Sequence, residues 1–109
     1  MTTFSELSLC PALQANIKSA QFKTPTPVQA AAIPPALAGS DVLATAQTGT
    51  GKTLAFLLPV VEKIAQSRAT GPQAVVLVPT RELAIQVAEN FALLRKGTKI
   101  DCAIVVGGL

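Results

Sequence analysis

The sequence predicts an α/β domain in which a mostly parallel sheet is flanked by helices, and three observations carry that expectation. Apolar β-branched runs alternate with segments of helical periodicity, and a glycine-rich loop stands between one such run and the helix after it. The composition, 50% apolar and 14% charged, is that of a packed globular chain. Parallel pairing follows from the alternation, because a parallel strand is reached only through a crossover segment. At 109 residues the chain makes one domain at most, and a chain of this size buries only about two-thirds of its extended surface.

Cys10-Pro11 opens the first helix, with Pro at a tolerated first-turn position and Leu13, Ile17 and Ala20 on one face. A second helix begins at Thr26-Pro27, carries Val28, Ala31 and Ala32, and is expected to stop or kink at Pro34-Pro35. Gly39-Ser40-Asp41 reads as a turn. Val42-Leu43-Ala44 is then a strand leading into the glycine-rich loop, and Lys52 to Gln66 is a helix kinked near Pro59. Residues 74–78, Ala-Val-Val-Leu-Val, suit a strand buried on both faces. Residues 81–95 place Leu83, Val87, Phe91 and Leu94 at helical spacing behind a Thr80 N-cap. Residues 101–106 give a third strand that ends in Gly107-Gly108.

Several classes of function are excluded. The longest apolar stretch before a proline, around Leu54 to Leu58, falls far short of the roughly 20 residues that span a bilayer. The N-terminus has no basic region and no apolar core of a secretory signal, so a cytoplasmic protein without membrane contact is expected. Cys10 and Cys102 have no CxxC partner and no histidine to join them, too few ligands for zinc; both are expected as reduced, partly buried thiols. A net charge of +3 permits contact with nucleic acid without arguing for it.

The chemistry lies in Ala46-Gln47-Thr48-Gly49-Thr50-Gly51-Lys52-Thr53, which fits the phosphate-loop pattern at its last three positions, with Ala46 where the general pattern has its first glycine. Gly49 and Gly51 let the backbone curl so that N–H groups point at phosphates, and the following helix adds its positive N-terminal end. Lys52 is placed to reach the β- and γ-phosphates and the Thr53 hydroxyl to ligate Mg²⁺, which makes these two the expected catalytic residues. Thr48, Gly49, Thr50 and Gly51 complete the expected ATP cradle.

Three further segments, in order and spacing, make the chain resemble the DEAD-box RNA helicase family over nearly its whole length. Residues 21–29, Gln-Phe-Lys-Thr-Pro-Thr-Pro-Val-Gln, resemble the family's adenine-sensing Q motif, with Phe4 as the isolated upstream aromatic and Gln21 in place of the usual glycine. The resemblance implies that Phe22, Thr24 and Gln29 bind ATP. A side-chain amide offers a donor and an acceptor, so Gln29 can pair with the adenine edge and reject guanine, while Phe22 covers the base. Residues 79–84, Pro-Thr-Arg-Glu-Leu-Ala, match motif Ia, and Gly107-Gly108 matches the family's glycine doublet. In the family these line the RNA groove, which implies RNA binding by Pro79, Thr80, Arg81, Gly107 and Gly108 through the sugar-phosphate backbone, without sequence readout. Arg95-Lys96 adds general attraction to RNA.

The resemblance further implies a partial P-loop NTPase domain of RecA-like fold. The family's Asp-Glu-Ala-Asp segment, its Ser-Ala-Thr motif and its second RecA-like domain are not within these residues. Loss of an arginine finger alone costs about 10³ to 10⁵ in rate, so this stretch by itself is expected at most to hold ATP, not to turn it over. The strand before the phosphate loop is expected to lack its usual neighbours, which leaves exposed strand edges. Two other readings fit some of the same residues: a non-catalytic nucleotide- or RNA-binding scaffold, and another P-loop NTPase such as a DNA helicase.

Overall fold

The computed structural model describes residues 3–45 and 51–107. Among these, a 3₁₀ turn at Phe4–Glu6 precedes four helices: α1 Pro11–Ser19, α2 Pro27–Leu37, α3 Lys52–Gln66 and α4 Arg81–Leu94. The core forms around α3, whose Leu54, Leu57, Leu58 and Val61 recur at helical spacing and are buried together. Ile33 of α2, Leu13 and Ile17 of α1, Phe91 and Leu94 of α4, and Phe4 close around that stripe. Each such side chain contributes about 1.5–3 kcal/mol when fully buried, so the helices have a core of their own.

Both α1 and α2 end in a Schellman motif, in which the two residues past the cap donate back to the last turn. In α1 the Phe22 N–H reaches the Ile17 carbonyl at 3.1 Å and the Gln21 N–H the Lys18 carbonyl at 3.0 Å. In α2 Ser40 N–H reaches Pro35 and Gly39 N–H reaches Ala36, at 3.0 and 3.1 Å. The position between must be left-handed; α2 has Gly39 there, with φ +97°, whereas α1 has Gln21, with φ +65°. Of the two outcomes expected at Pro34-Pro35, a stop or a kink, the stop does not occur: α2 runs to Leu37. The prolines remove only two N–H donors near the helix end, and Ala31, one of the residues whose carbonyl loses its partner, is exposed to solvent.

Buried polar side chains tie the helices together. Asn16 of α1 donates both amide hydrogens, to the carbonyls of Leu94 at 2.8 Å and Lys96 at 2.7 Å, and so caps the C-terminal end of α4. Glu62, buried on α3, accepts from the Cys10 N–H at 2.9 Å and from the Gln66 amide. Gln14 donates to the carbonyls of Phe4 at 3.3 Å and Leu7 at 2.8 Å, which holds the 3₁₀ turn against α1.

The three segments predicted as strands, 42–44, 74–78 and 101–106, form no ladder among the described residues. Segment 74–78, expected to be buried on both faces, is open to solvent: Val75 is 81% and Leu77 90% exposed. Leu43, at 98%, and Val105, at 91%, are equally bare. Burial of a strand requires neighbours on both sides and cover on both faces, and these segments have neither here. Cys102 lies on the last of them and is exposed rather than partly buried as expected, while Cys10 is half-buried.

Candidate nucleotide and nucleic-acid site

The phosphate-loop residues Ala46, Gln47, Thr48, Gly49 and Thr50 lie outside the described residues. The end of the loop is described. Gly51 is the N-cap of α3 in the left-handed region, φ +87° and ψ +23°, and Lys52 and Thr53 form the first two positions of the helix. Gly51 has no side chain, so the first-turn amides of α3 receive no side-chain cap from it. Lys52 is exposed and Thr53 half-buried.

The left-handed turn fits only glycine for a second reason. A Cβ on Gly51 would overlap the Gln29 side-chain nitrogen and stand 3.0 Å from Thr26 Oγ1. Gln29 is buried, and its Nε2 donates to the Gly51 carbonyl at 3.2 Å. Its Oε1 accepts from the Thr26 N–H at 2.9 Å, and its own N–H donates to Thr26 Oγ1 at 3.4 Å. This is a capping box, the reciprocal pairing of a helix N-cap with its third residue. Sequence reasoning placed Gln29 at the adenine and saw Thr26 only as a helix start. The pattern Thr-Pro-Val-Gln was the available signal for the box, and nothing local gave the bond to Gly51. Among the described residues, the amide of Gln29 keeps one N–H and one oxygen lone pair beyond these bonds.

Phe22 is half-buried and lies tilted against Phe4, ring centroids 6.4 Å apart at 58°. The Schellman turn sets its direction, since its N–H is fixed to Ile17. Thr24 is exposed. An open cleft of about 910 Å³ joins Phe22, Gln29, Gly51, Lys52 and Thr53 on one side to Pro79 on the other. The predicted nucleotide residues that are described, apart from Thr24, therefore share one space.

The predicted RNA residues meet at the start of α4. Thr80 caps the helix, its Oγ1 accepting from the Leu83 N–H at 3.1 Å. Pro79, Thr80 and Arg81 are all exposed, and Arg81 Nη2 donates to the Gly107 carbonyl at 2.8 Å. Gly108 lies outside the described residues. No group of three or more His, Cys, Asp or Glu side chains is gathered for a metal among the described residues. No helix among them is long and apolar enough to cross a membrane.

The chain belongs to the DEAD/DEAH box helicase family, whose sequence model matches residues 26–109. It is 46% identical over 112 aligned residues to the ATP-dependent RNA helicase SrmB of Escherichia coli, covering 100% of this chain and 25% of that protein. It is 44% identical over 108 residues to the DEAD-box ATP-dependent RNA helicase CshA of Bacillus cereus, covering 99% of this chain and 20% of the relative. Among solved structures, a DEAD box protein from Methanococcus jannaschii superposes with a TM-score of 0.92 at 35% identity, over 100% of this chain and 30% of that one. The backbone thus follows part of a DEAD-box protein of known structure, and the chain spans a quarter or less of the length of these two curated relatives.

Proposed function

We propose that the chain is the ATP- and RNA-binding part of an ATP-dependent RNA helicase, in which hydrolysis and unwinding need further residues of a longer gene product. The observation that carries the reading is the Gln29 to Gly51 hydrogen bond, which joins the base-reading segment to the phosphate loop across 22 residues. Phe22, Thr24 and Gln29 would hold the adenine end, and residues 46–53 the triphosphate. Lys52 supplies positive charge to the β- and γ-phosphates. The donor set fits Mg²⁺, since a threonine hydroxyl at the second position of α3 is a hard oxygen ligand beside the phosphate site. When bound there, the ion would neutralise phosphate charge. Pro79, Thr80, Arg81, Gly107 and Gly108 would hold the RNA backbone.

On this reading segments 42–44, 74–78 and 101–106 are strands of a mostly parallel sheet in the longer protein. Leu43, Val75, Leu77 and Val105 are then side chains that the rest of the domain covers. The test is ATP hydrolysis by the full-length gene product with and without single-stranded RNA. Stimulation by RNA, a preference for ATP over GTP, and a loss of at least about 100-fold in Lys52→Ala are expected. Activity that survives Lys52→Ala, or that ignores RNA, would falsify the proposal.

A further inference from the structure

We infer that Arg81 serves the proposed RNA groove as a positioning residue, holding the Gly107 carbonyl so that the turn there stands against the start of α4 with its open side toward a nucleic-acid backbone. The inference rests on the RNA reading above and assigns Arg81 a different task from the direct phosphate contact that resemblance implies. Its first support is the 2.8 Å bond from Arg81 Nη2 to the Gly107 oxygen, which joins the two RNA segments across 26 residues. An arginine on a fixed helix can hold such a bond in one geometry. α4 is fixed at both ends, by the Thr80 cap at its start and by the two Asn16 bonds at its finish.

The second support is Gly107 itself. It does not adopt a positive φ, and a Cβ there would meet nothing within 4 Å. Neither backbone conformation nor packing among the described residues calls for glycine, unlike at Gly51. What glycine does provide is a bare backbone that another chain can approach closely. A guanidinium that fixes the carbonyl side of this residue leaves its other side free for sugar and phosphate. Lysine would keep the charge at position 81 but not the planar fork, so charge and positioning are separable by one substitution.

The experiment measures binding of a labelled single-stranded RNA to the full-length gene product, with a non-hydrolysable ATP analogue, across a salt series. Arg81→Lys and Arg81→Ala are compared with the unsubstituted protein, and circular dichroism checks that each is folded. Positioning predicts that both variants weaken binding by about three- to tenfold, the worth of one hydrogen bond, with the slope of log affinity against log salt unchanged. A direct phosphate contact predicts the reverse: Arg81→Lys binds as the unsubstituted protein does, and Arg81→Ala flattens the slope by about 0.7, one phosphate on a single strand. That pattern overturns the inference while leaving RNA binding intact. Failure of the unsubstituted protein to bind RNA removes the RNA reading, and this inference with it.

Discussion

Gly51 and Gly107 each offer a carbonyl that a side chain from a distant segment holds, Gln29 in one case and Arg81 in the other. In every other respect they differ. Gly51 is left-handed and hemmed in by Gln29 and Thr26, whereas Gly107 has an ordinary φ and open space where a side chain would stand. The first glycine is required by the chain's own crowding, the second by nothing within the chain that the structure describes. The segment around Gly51 is therefore shaped by the protein's own packing, whereas the backbone at Gly107 is left bare.

Substitution at the crowded glycine should have the largest effect. Gly51→Ala puts a side chain into the left-handed region and into Gln29, and should cost about 2–4 kcal/mol of stability together with ATP binding. Urea unfolding and nucleotide titration measure both; a variant as stable as the parent would mean that the two glycines are alike after all. Gly107→Ala should leave stability within about 0.5 kcal/mol, while RNA affinity falls by about three- to tenfold as the open side fills. Unfolding curves and RNA titration on one preparation decide it, and a stability loss without an RNA effect would reverse the contrast.

The smallest change sharpens the comparison at a third left-handed position. Gln21→Gly removes strain from the turn after α1, where α2 already uses Gly39 in the same motif. A left-handed non-glycine residue costs about 1–2 kcal/mol, and glycine's extra freedom in the unfolded chain returns about 0.5–1 of that. A net gain of about 0.5–1 kcal/mol in unfolding free energy is expected, and destabilisation would show that Gln21 makes contacts that outweigh its strain.

What was legible in the sequence was local. Thr80 before a 3.6-residue apolar pattern marked the start of α4, and Pro11 and Pro27 marked the starts of α1 and α2, because capping and first-turn proline act within a few residues. The Gly-Lys-Thr ending marked where α3 begins for the same reason. A stop at Pro34-Pro35 does not occur in α2, since two prolines in a last turn cost less than two in a helix interior. The β-branched run at 74–78 suggested a buried strand, whereas that segment joins no ladder among the described residues and is exposed, because pairing and burial depend on what lies alongside rather than on the run itself. Gln29 was singled out by its motif, yet its bond to Gly51 carried no local signal. Asn16 and Glu62 carried no signal at all, because their partners lie 78 and 52 residues away and a lone polar residue on a helix announces no partner.

Asn16 has a wider effect than its size suggests. A single side-chain amide spends both of its hydrogens on the carbonyl of Leu94, the last residue of α4, and on that of Lys96 just past it. If α1 lifts away, the end of α4 loses two acceptor partners at once; if the end of α4 frays, α1 is left with a buried amide and nothing to bond. Neither helix can open alone without stranding polar groups of the other. Though separated by most of the chain, the first helix and the last described helix form one cooperative opening unit, closed by one residue.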